Sequence, residues 1–347
     1  LRGPSRARWL RPVALGALLA VLGLGQLTAN PAMASRVAPS SQRSPHAVTT
    51  PLTPSSARPC LGSAPPTGAR KVVWIWLENH SRSQVIGPPG SAADYAMPTL
   101  NALARSCGEA TNARGLTHPS LPNYLGSVTG IRSGIAATCS VAQCPQTALT
   151  LFDQLNYGGR TWGVFAQSMP RNCATENAGR YAARHNPPVY FPRLAATCAT
   201  HDLPLGTPTS GRLATLLGTA KLPQFTFLVP DLCASSHDCS RTVSDTWLRS
   251  WLPTLFNSRD YRSGRTTVIV TYDEGAGGIG GQDCRTRLDD SCRIATVVAA
   301  PSVRPGTKAS TAYDHMSLLA TTEELLGFGY LGQARTAPRM TTAFHLK

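Results

Sequence analysis

From residue 71 onward the apolar residues of the chain fall into two spacings. Residues 71–77 (KVVWIWL), 161–166, 224–229, 266–272 (TTVIVTY) and 294–300 are short, nearly continuous runs rich in β-branched and aromatic residues. Runs of that length and composition predict buried strands. Helical spacing recurs between them, over 98–106, over 151–157 before Gly158-Gly159, over 212–220, and over 316–326 before Gly327. Residues 243–256 predict an amphipathic helix that turns Trp247, Leu248, Trp251, Leu252 and Leu255 inward. Strands and helices therefore alternate. That order predicts an α/β fold with a mostly parallel sheet, helices on both faces, and ligands beyond the carboxyl ends of the strands.

Upstream of this body the pattern changes twice. Arg2, Arg6, Arg8 and Arg11 precede an apolar run from Val13 to Leu27, followed by Ala32-Met33-Ala34. A charged region, an apolar region and a small-x-small site predict an export signal over residues 1–34. Residues 35–69 are dominated by Ser, Pro, Thr and Ala and show no apolar period, which predicts a disordered linker. One domain, residues 70–347, remains. No repeat divides it, and no later run is long enough to cross a membrane once the signal is removed. The expected protein is a secreted monomer.

Composition changes this picture little. The formal charge is +15, but the basic residues are scattered and form no stripe interleaved with aromatics. Nucleic acid is therefore not an expected partner, whereas a diffuse positive field suits anionic substrates or surfaces. Ten cysteines in an exported chain point to disulfides. Proximity suggests Cys139 with Cys144, Cys233 with Cys239, Cys284 with Cys292 and Cys173 with Cys198. Cys60 and Cys107 remain, and pairing them would staple the end of the linker onto the body.

The candidate chemistry lies where strands end. Glu78-Asn79 follow the first strand and Asp273-Glu274 follow the fourth; Thr117-His118-Pro119-Ser120 precedes a helical pattern. A hydroxyl on a tight turn at a helix N-terminus is placed to attack an anion held by free N–H groups. Carboxylates, an amide oxygen and a hydroxyl together form a hard, oxygen-rich set suited to a divalent metal ion. Asp231, His237 and Asp238 follow the strand ending at Val229, and His315 opens the last helix. Each of these alone is ordinarily a cap or a solvated side chain. Their convergence on one sheet edge favours a site.

In order along the chain, Glu78-Asn79-His80-Ser81, Thr117-His118-Pro119-Ser120-x-Pro122-Asn123-Tyr124-Leu125, Pro230-Asp231 to His237-Asp238, Asp245-x-Trp247-Leu248, Tyr272-Asp273-Glu274-Gly275, and His315-x-x-Leu318 to Gly327 resemble the bacterial phosphoesterase family. That family groups exported acid phosphatases and phospholipases C within the alkaline phosphatase superfamily. In motif order and length its secreted acid phosphatases of mycobacterial type, which act on phosphoinositides, are the most similar. The resemblance implies an alkaline-phosphatase-like fold and a divalent metal ion held by Glu78, Asn79, Asp273 and Glu274. It implies that Ser120 is the phosphorylated nucleophile, with His237 and His315 across the phosphate and His118 and Asn123 positioning the substrate. Two departures stand out. Relatives have a carboxylate where this chain has Ser235, and Gly-Asp where it has Ser244-Asp245. Asp231 or Asp245 is the expected substitute ligand.

The activity so implied is acid phosphatase action on phosphate monoesters, with phosphoinositides or other anionic lipid head groups among the candidate substrates. Other readings compete with it. An α/β-hydrolase shares the order Ser120, Asp273, His315 but requires a G-x-S-x-G elbow, which is missing here. A sulfatase requires C-x-P-x-R, also missing. A phospholipase C shares the motifs, though such enzymes tend to be longer. A non-catalytic secreted binding protein needs no carboxylate pair after its best strand. The segment 275–281, rich in glycine, reads either as a flap over the site or as a plain surface loop.

Overall fold

The structure, a computed structural model, describes residues 53–68 and 70–347. The expected export signal and the first part of the expected linker lie outside the described residues. Ten strands are present: β1 (Lys71–Leu77), β2 (Gly108–Ala110), β3 (Ala113–Arg114), β4 (Trp162–Ala166), β5 (Asp202–Pro204), β6 (Phe225–Val229), β7 (Thr266–Tyr272), β8 (Arg293–Ile294), β9 (Thr296–Ala299) and β10 (Thr307–Ala309). Eight of them form one sheet in the order β10-β2-β9-β7-β1-β6-β4-β5, and β3 pairs with β8. In the large sheet β9 alone runs against its neighbours. Strands β7, β1, β6, β4 and β5 are all parallel.

The two central strands explain themselves chemically. β1 and β7 are buried along nearly their whole length, so their continuous apolar runs face packed helices on both sides of the sheet. On one side Trp74 donates its indole N–H to Thr322 Oγ1, and Trp76 lies against Tyr124 and His315. The helices Ser120–Thr129 and His315–Leu326 therefore cover that face. Pro98–Ser106 and Arg241–Asn257 pair with one another, and Asp245 from the second accepts the Thr99 and Leu100 N–H groups that open the first. Asp245 is occupied as a cap.

All ten cysteines pair as proximity suggested: Cys60–Cys107, Cys139–Cys144, Cys173–Cys198, Cys233–Cys239 and Cys284–Cys292. The first of these corrects the linker expectation. Residues 53–68 lie against the body: Cys60 is buried, and Leu61, Gly62 and Ser63 donate backbone N–H groups to Pro301 and Val303 carbonyls. A covalent tie and main-chain hydrogen bonds order a segment whose side chains alone could not. A second correction concerns 294–300, which is not one strand. It breaks at Ala295, so that Ile294 serves the small sheet and Thr296–Ala299 the large one. No helix among the described residues is long and apolar enough to cross a membrane.

Candidate active site

Parallel strands send their carboxyl ends to one edge, and there β1 delivers Glu78-Asn79 while β7 delivers Asp273-Glu274. The two strands are neighbours in register, with Leu77 beside Tyr272, so the two acidic pairs meet. The Asn79 N–H donates to Asp273 Oδ1 (3.1 Å), and the Asp273 N–H to the Leu77 carbonyl (3.1 Å). Asn79 has φ 55°, a left-handed conformation that asparagine tolerates better than most residues. Glu78 and Asp273 are both fully buried.

Ser120 is the first residue of the helix Ser120–Thr129, and its hydroxyl donates to Glu78 Oε2 (3.0 Å). The residue before it, Pro119, offers no side-chain cap. The helix N-terminus is thus left without an internal acceptor, a natural seat for an anion. Glu78 Oε1 accepts from the Tyr124 hydroxyl one turn along the same helix. Burial, and then the negative charge of Asp273, push the Glu78 carboxyl well above its ordinary range.

A divalent cation fits this arrangement. Asp273 Oδ2 and Asn79 Oδ1 are buried without a hydrogen-bond partner. Among the described residues no lysine or arginine pairs with Glu78 or Asp273. Two adjacent buried carboxylates with open oxygen lone pairs call for a positive charge. The sulfur-containing clusters do not compete for that role. His118 approaches Cys284 and Cys292, and Asp202 approaches Cys173 and Cys198, but these sulfurs are in disulfides and supply no thiolate.

Glu274 faces another way. Its Oε2 lies 3.3 Å from His118 Nδ1 and accepts from Asn123 Nδ2 (3.2 Å). Burial and then the Asp273 charge push Glu274 up to about 7. Burial pulls His118 down, but the hydrogen bond and charge of Glu274 outweigh it and the ring ends above its ordinary value. His118 Nε2 donates to the Ser291 carbonyl (3.0 Å), so one proton is shared between Nδ1 and Glu274. Asn123 binds the turn before its own helix: Oδ1 accepts from Leu116 and Thr117 N–H, and Nδ2 donates to the Thr117 and Pro119 carbonyls. It holds Ser120 in place. The glycine-rich segment folds over this corner, where Gly281 N–H donates to the His118 carbonyl (2.7 Å) and a Cβ on Gly278 would fall 2.0 Å from His118 Nε2.

The remaining sequence candidates separate. Asp231 is not brought to the cluster: Oδ1 accepts from Cys233 and Ala234 N–H and Oδ2 from the Ser168 hydroxyl. Its oxygens close a turn. His315 is buried, stacks on Trp76, and donates Nε2–H to the Asp273 carbonyl (2.7 Å), so it braces the end of β7. Burial holds it below its ordinary value. His237 is half-buried, with Nδ1 2.6 Å from Asp238 Oδ1 and Nε2 accepting from Arg184 Nη2 (3.0 Å).

A further residue enters that no sequence pattern marked. His185 is buried against Tyr124, its Nε2 3.4 Å from Glu78 Oε2 and its ring 5.9 Å from that of His237. Burial, and then the charge of Arg184, hold it well below its ordinary value. His185 sits in a stretch of short 3-10 turns, 183–194, where no apolar period exists to announce it. The only local signal is the dense polar group Arg184-His185-Asn186 before two prolines.

Known proteins resemble this chain in sequence and in fold. Residues 76–329 match the sequence profile of the phosphoesterase family. The chain is 30% identical over 283 residues to a phosphatidylinositol-3-phosphatase of Mycobacterium tuberculosis, covering 80% of this chain and 84% of that protein. It is 27% identical to an acid phosphatase of Aspergillus fumigatus, covering 75% of this chain but 55% of the fungal protein. The chain thus spans little more than half the length of that relative. In fold it is similar to an alkaline phosphatase superfamily protein from Vibrio parahaemolyticus, with a TM-score of 0.53 at 16% identity, covering 84% of this chain and 74% of the other.

Proposed function

The chain belongs to the phosphoesterase family and is a phosphoric ester hydrolase, and we propose that it is a secreted, metal-dependent acid phosphatase that hydrolyses phosphate monoesters through a phosphoserine on Ser120. One observation carries the reading: Ser120 is at once the first residue of an uncapped helix and the hydrogen-bond donor to a buried carboxylate of a cation-ready pair. A hydroxyl, an anion seat and a hard oxygen donor set meet at one point.

Glu78, Asn79 and Asp273 are the residues that would hold a divalent cation, while Glu274 is turned toward His118. A divalent cation bound there supplies positive charge against the negative charge that develops on the phosphoryl oxygens. The chain's own residues do the rest. The free N–H groups of the Ser120 helix orient the phosphate, and Glu78 Oε2 takes the hydroxyl proton as Ser120 Oγ bonds to phosphorus and the ester P–O bond breaks. That proton passes from Glu78 by way of water to the departing alkoxide, beside His237, the solvent-facing member of the histidine group. Water then breaks the Ser120–phosphorus bond, releasing phosphate and returning a proton to Oγ. His118, Asn123 and His315 keep Ser120 and Asp273 in position. The disulfides support secretion, and the mycobacterial relative makes phosphoinositides candidate substrates.

The test compares p-nitrophenyl phosphate, a phosphodiester analogue and a carboxylic ester, using wild type and Ser120→Ala, with and without chelator. Monoester turnover that drops by about 10³-fold or more in Ser120→Ala, and that falls with chelator and returns with divalent cation, is the expected result. Added cation should also raise the melting temperature of the chelated protein, because it binds only the folded form. Faster turnover of the diester would replace the reading with a phospholipase C. Carboxylic ester turnover would replace it with a hydrolase of another class.

A further inference from the structure

The small sheet sets two arginines face to face. β3 and β8 pair antiparallel, with Ala113 opposite Ile294 and Arg114 opposite Arg293. Like charges directly opposite one another on such a pair destabilise it. A third arginine stands beside them, because Ser81 bridges Ile294 in antiparallel fashion and Arg82 is the next residue. All three guanidiniums reach one short stretch of chain between β2 and β3. Arg82 Nε donates to Glu109 Oε1 (2.6 Å), Arg293 Nη2 to the Thr111 carbonyl (2.9 Å), and Arg114 Nη2 to Asn112 Oδ1 (3.3 Å).

The protein does not balance this charge. Glu109 pairs with Arg82, and among the described residues neither Arg114 nor Arg293 has a carboxylate within ion-pair distance. Three guanidiniums and one carboxylate leave an excess of two positive charges on the row. Donors are in excess too. A guanidinium has N–H groups and no acceptor, and the Nε atoms of Arg114 and Arg293 are buried without a hydrogen-bond partner. Both residues are half-buried, so each remains partly open to solvent.

We propose that the row of Arg82, Arg293 and Arg114 is an anion site, separate from the Ser120 site, that takes a phosphate dianion, either free or at the end of a larger molecule. A dianion matches the excess charge, and a phosphate can accept two parallel hydrogen bonds from a planar guanidinium fork. Chloride carries one charge and has no such geometry. The hydrogen bonds and ion pair of the three side chains run to residues 109–112 and to none of Glu78, Asn79, Ser120 or Asp273. The site therefore stands whether or not Ser120 is a phosphatase nucleophile.

The frame that carries the row is fixed on every side. Cys292, the residue before Arg293, is tied to Cys284. Arg114 donates its backbone N–H to the Tyr313 carbonyl, and Gly115 donates to the Cys292 carbonyl. The 111–112 turn is held by the Thr111 N–H to the Ala309 carbonyl and by Asn112 Nδ2 to the Ser310 carbonyl. Backbone held in this way keeps the like charges together in spite of their repulsion. It also leaves little chain to order when an anion binds, which lowers the cost of binding.

The experiment titrates the full chain with inorganic phosphate in a calorimeter at about pH 8, where the ligand is a dianion. Wild type should bind one phosphate more than Arg114→Gln, and that phosphate should remain in Ser120→Ala. Arg293→Lys keeps the charge on β8 but loses the planar fork; it should weaken the same site by about tenfold or more and does not depend on how Arg114→Gln folds. Phosphate should raise the melting temperature of wild type, and chloride at matched ionic strength should not. Without phosphate, Arg114→Gln should melt no lower than wild type, because one of two facing like charges is gone. The same phosphate stoichiometry and affinity in wild type and both arginine variants overturns the site. So does equal stabilisation by chloride, a lower melting temperature of phosphate-free Arg114→Gln, or loss of the extra phosphate in Ser120→Ala, which would place it at the candidate active site. Methylphosphonate, a dianion with one oxygen replaced by carbon, then separates two supporting outcomes: binding as tight as that of phosphate assigns the site to a phosphate carried on a larger molecule, weaker binding to the free ion.

Discussion

Glu323 shows at the scale of one residue how burial becomes a pH response. It lies fully buried in the last helix, where Oε1 accepts from Leu331 N–H (2.9 Å) and Oε2 has no partner. Burial pushes it up to about 8, against about 4.3 for an unhindered glutamate. The folded chain therefore holds this proton to a higher pH than the unfolded chain. The stability it contributes is complete below about pH 4 and is lost as pH rises through about 8. Glu323→Gln keeps the Oε1 acceptor and has no proton to lose. Its melting temperature should fall less steeply than that of wild type between about pH 5 and pH 8.5; an equal slope in the two proteins would sink the assignment. Asp202, pushed by burial up to about 7, adds a smaller share of the same sign, so the slope should lessen rather than vanish. A protein more stable in acid suits an acid phosphatase.

The helix Ser120–Thr129 carries the nucleophile at one end and depends on a glycine at the other. Gly130 ends it at φ 68°, in the left-handed region, and a Cβ there would lie 2.3 Å from the Leu331 carbonyl oxygen. Backbone stands opposite, so no side chain can swing away. Gly130→Ala should destabilise the chain by about 2 kcal/mol or more, from the left-handed penalty plus displacement of the neighbouring loop. Chemical denaturation would read this as a lower midpoint at an unchanged slope. An unchanged midpoint would mean that the 331–332 loop yields freely. The helix itself was legible in the sequence only from its start, where two prolines bracket Ser120. Its polar, fully buried face toward Glu78 carries no apolar period. The β8 and β9 break at Ala295 escaped for a similar reason, since both halves are buried and read as one run.

For the whole molecule the Cys60–Cys107 bridge ties the segment 53–68 to the body. It closes a loop of 47 residues between the segment before β1 and the residue before β2. Chain-entropy arguments assign a crosslink of that span about 4 kcal/mol, with measured values commonly between about 2 and 5. The double substitution Cys60→Ala, Cys107→Ala should lower stability by that order and raise protease sensitivity across residues 53–68. Activity at low temperature should persist, because none of the residues placed around Ser120 touches this bridge. Loss of activity with no loss of stability would show that the segment does more than clamp the edge of the sheet.

The sequence by itself determined the alternation of strands and helices and the polar residues at the ends of β1 and β7, and proximity suggested the disulfide partners. Each follows from local chemistry: apolar runs must be buried, parallel strands deliver their carboxyl ends together, and cysteines close in sequence meet easily. Ser120, Glu78, Asn79 and Asp273 were visible for that reason. Tertiary structure decided which candidates do something else. Asp231 and Asp245 are caps because backbone N–H groups reach their oxygens first, and His315 is a brace because its ring lies under the Asp273 carbonyl. It also brought in His185 and Arg184, from a stretch of short turns whose place beside Glu78 depends on contacts between residues far apart in the chain. No local pattern encodes such contacts, since they arise only when the sheet edge, the first helical turn and the 183–194 segment close on the same point.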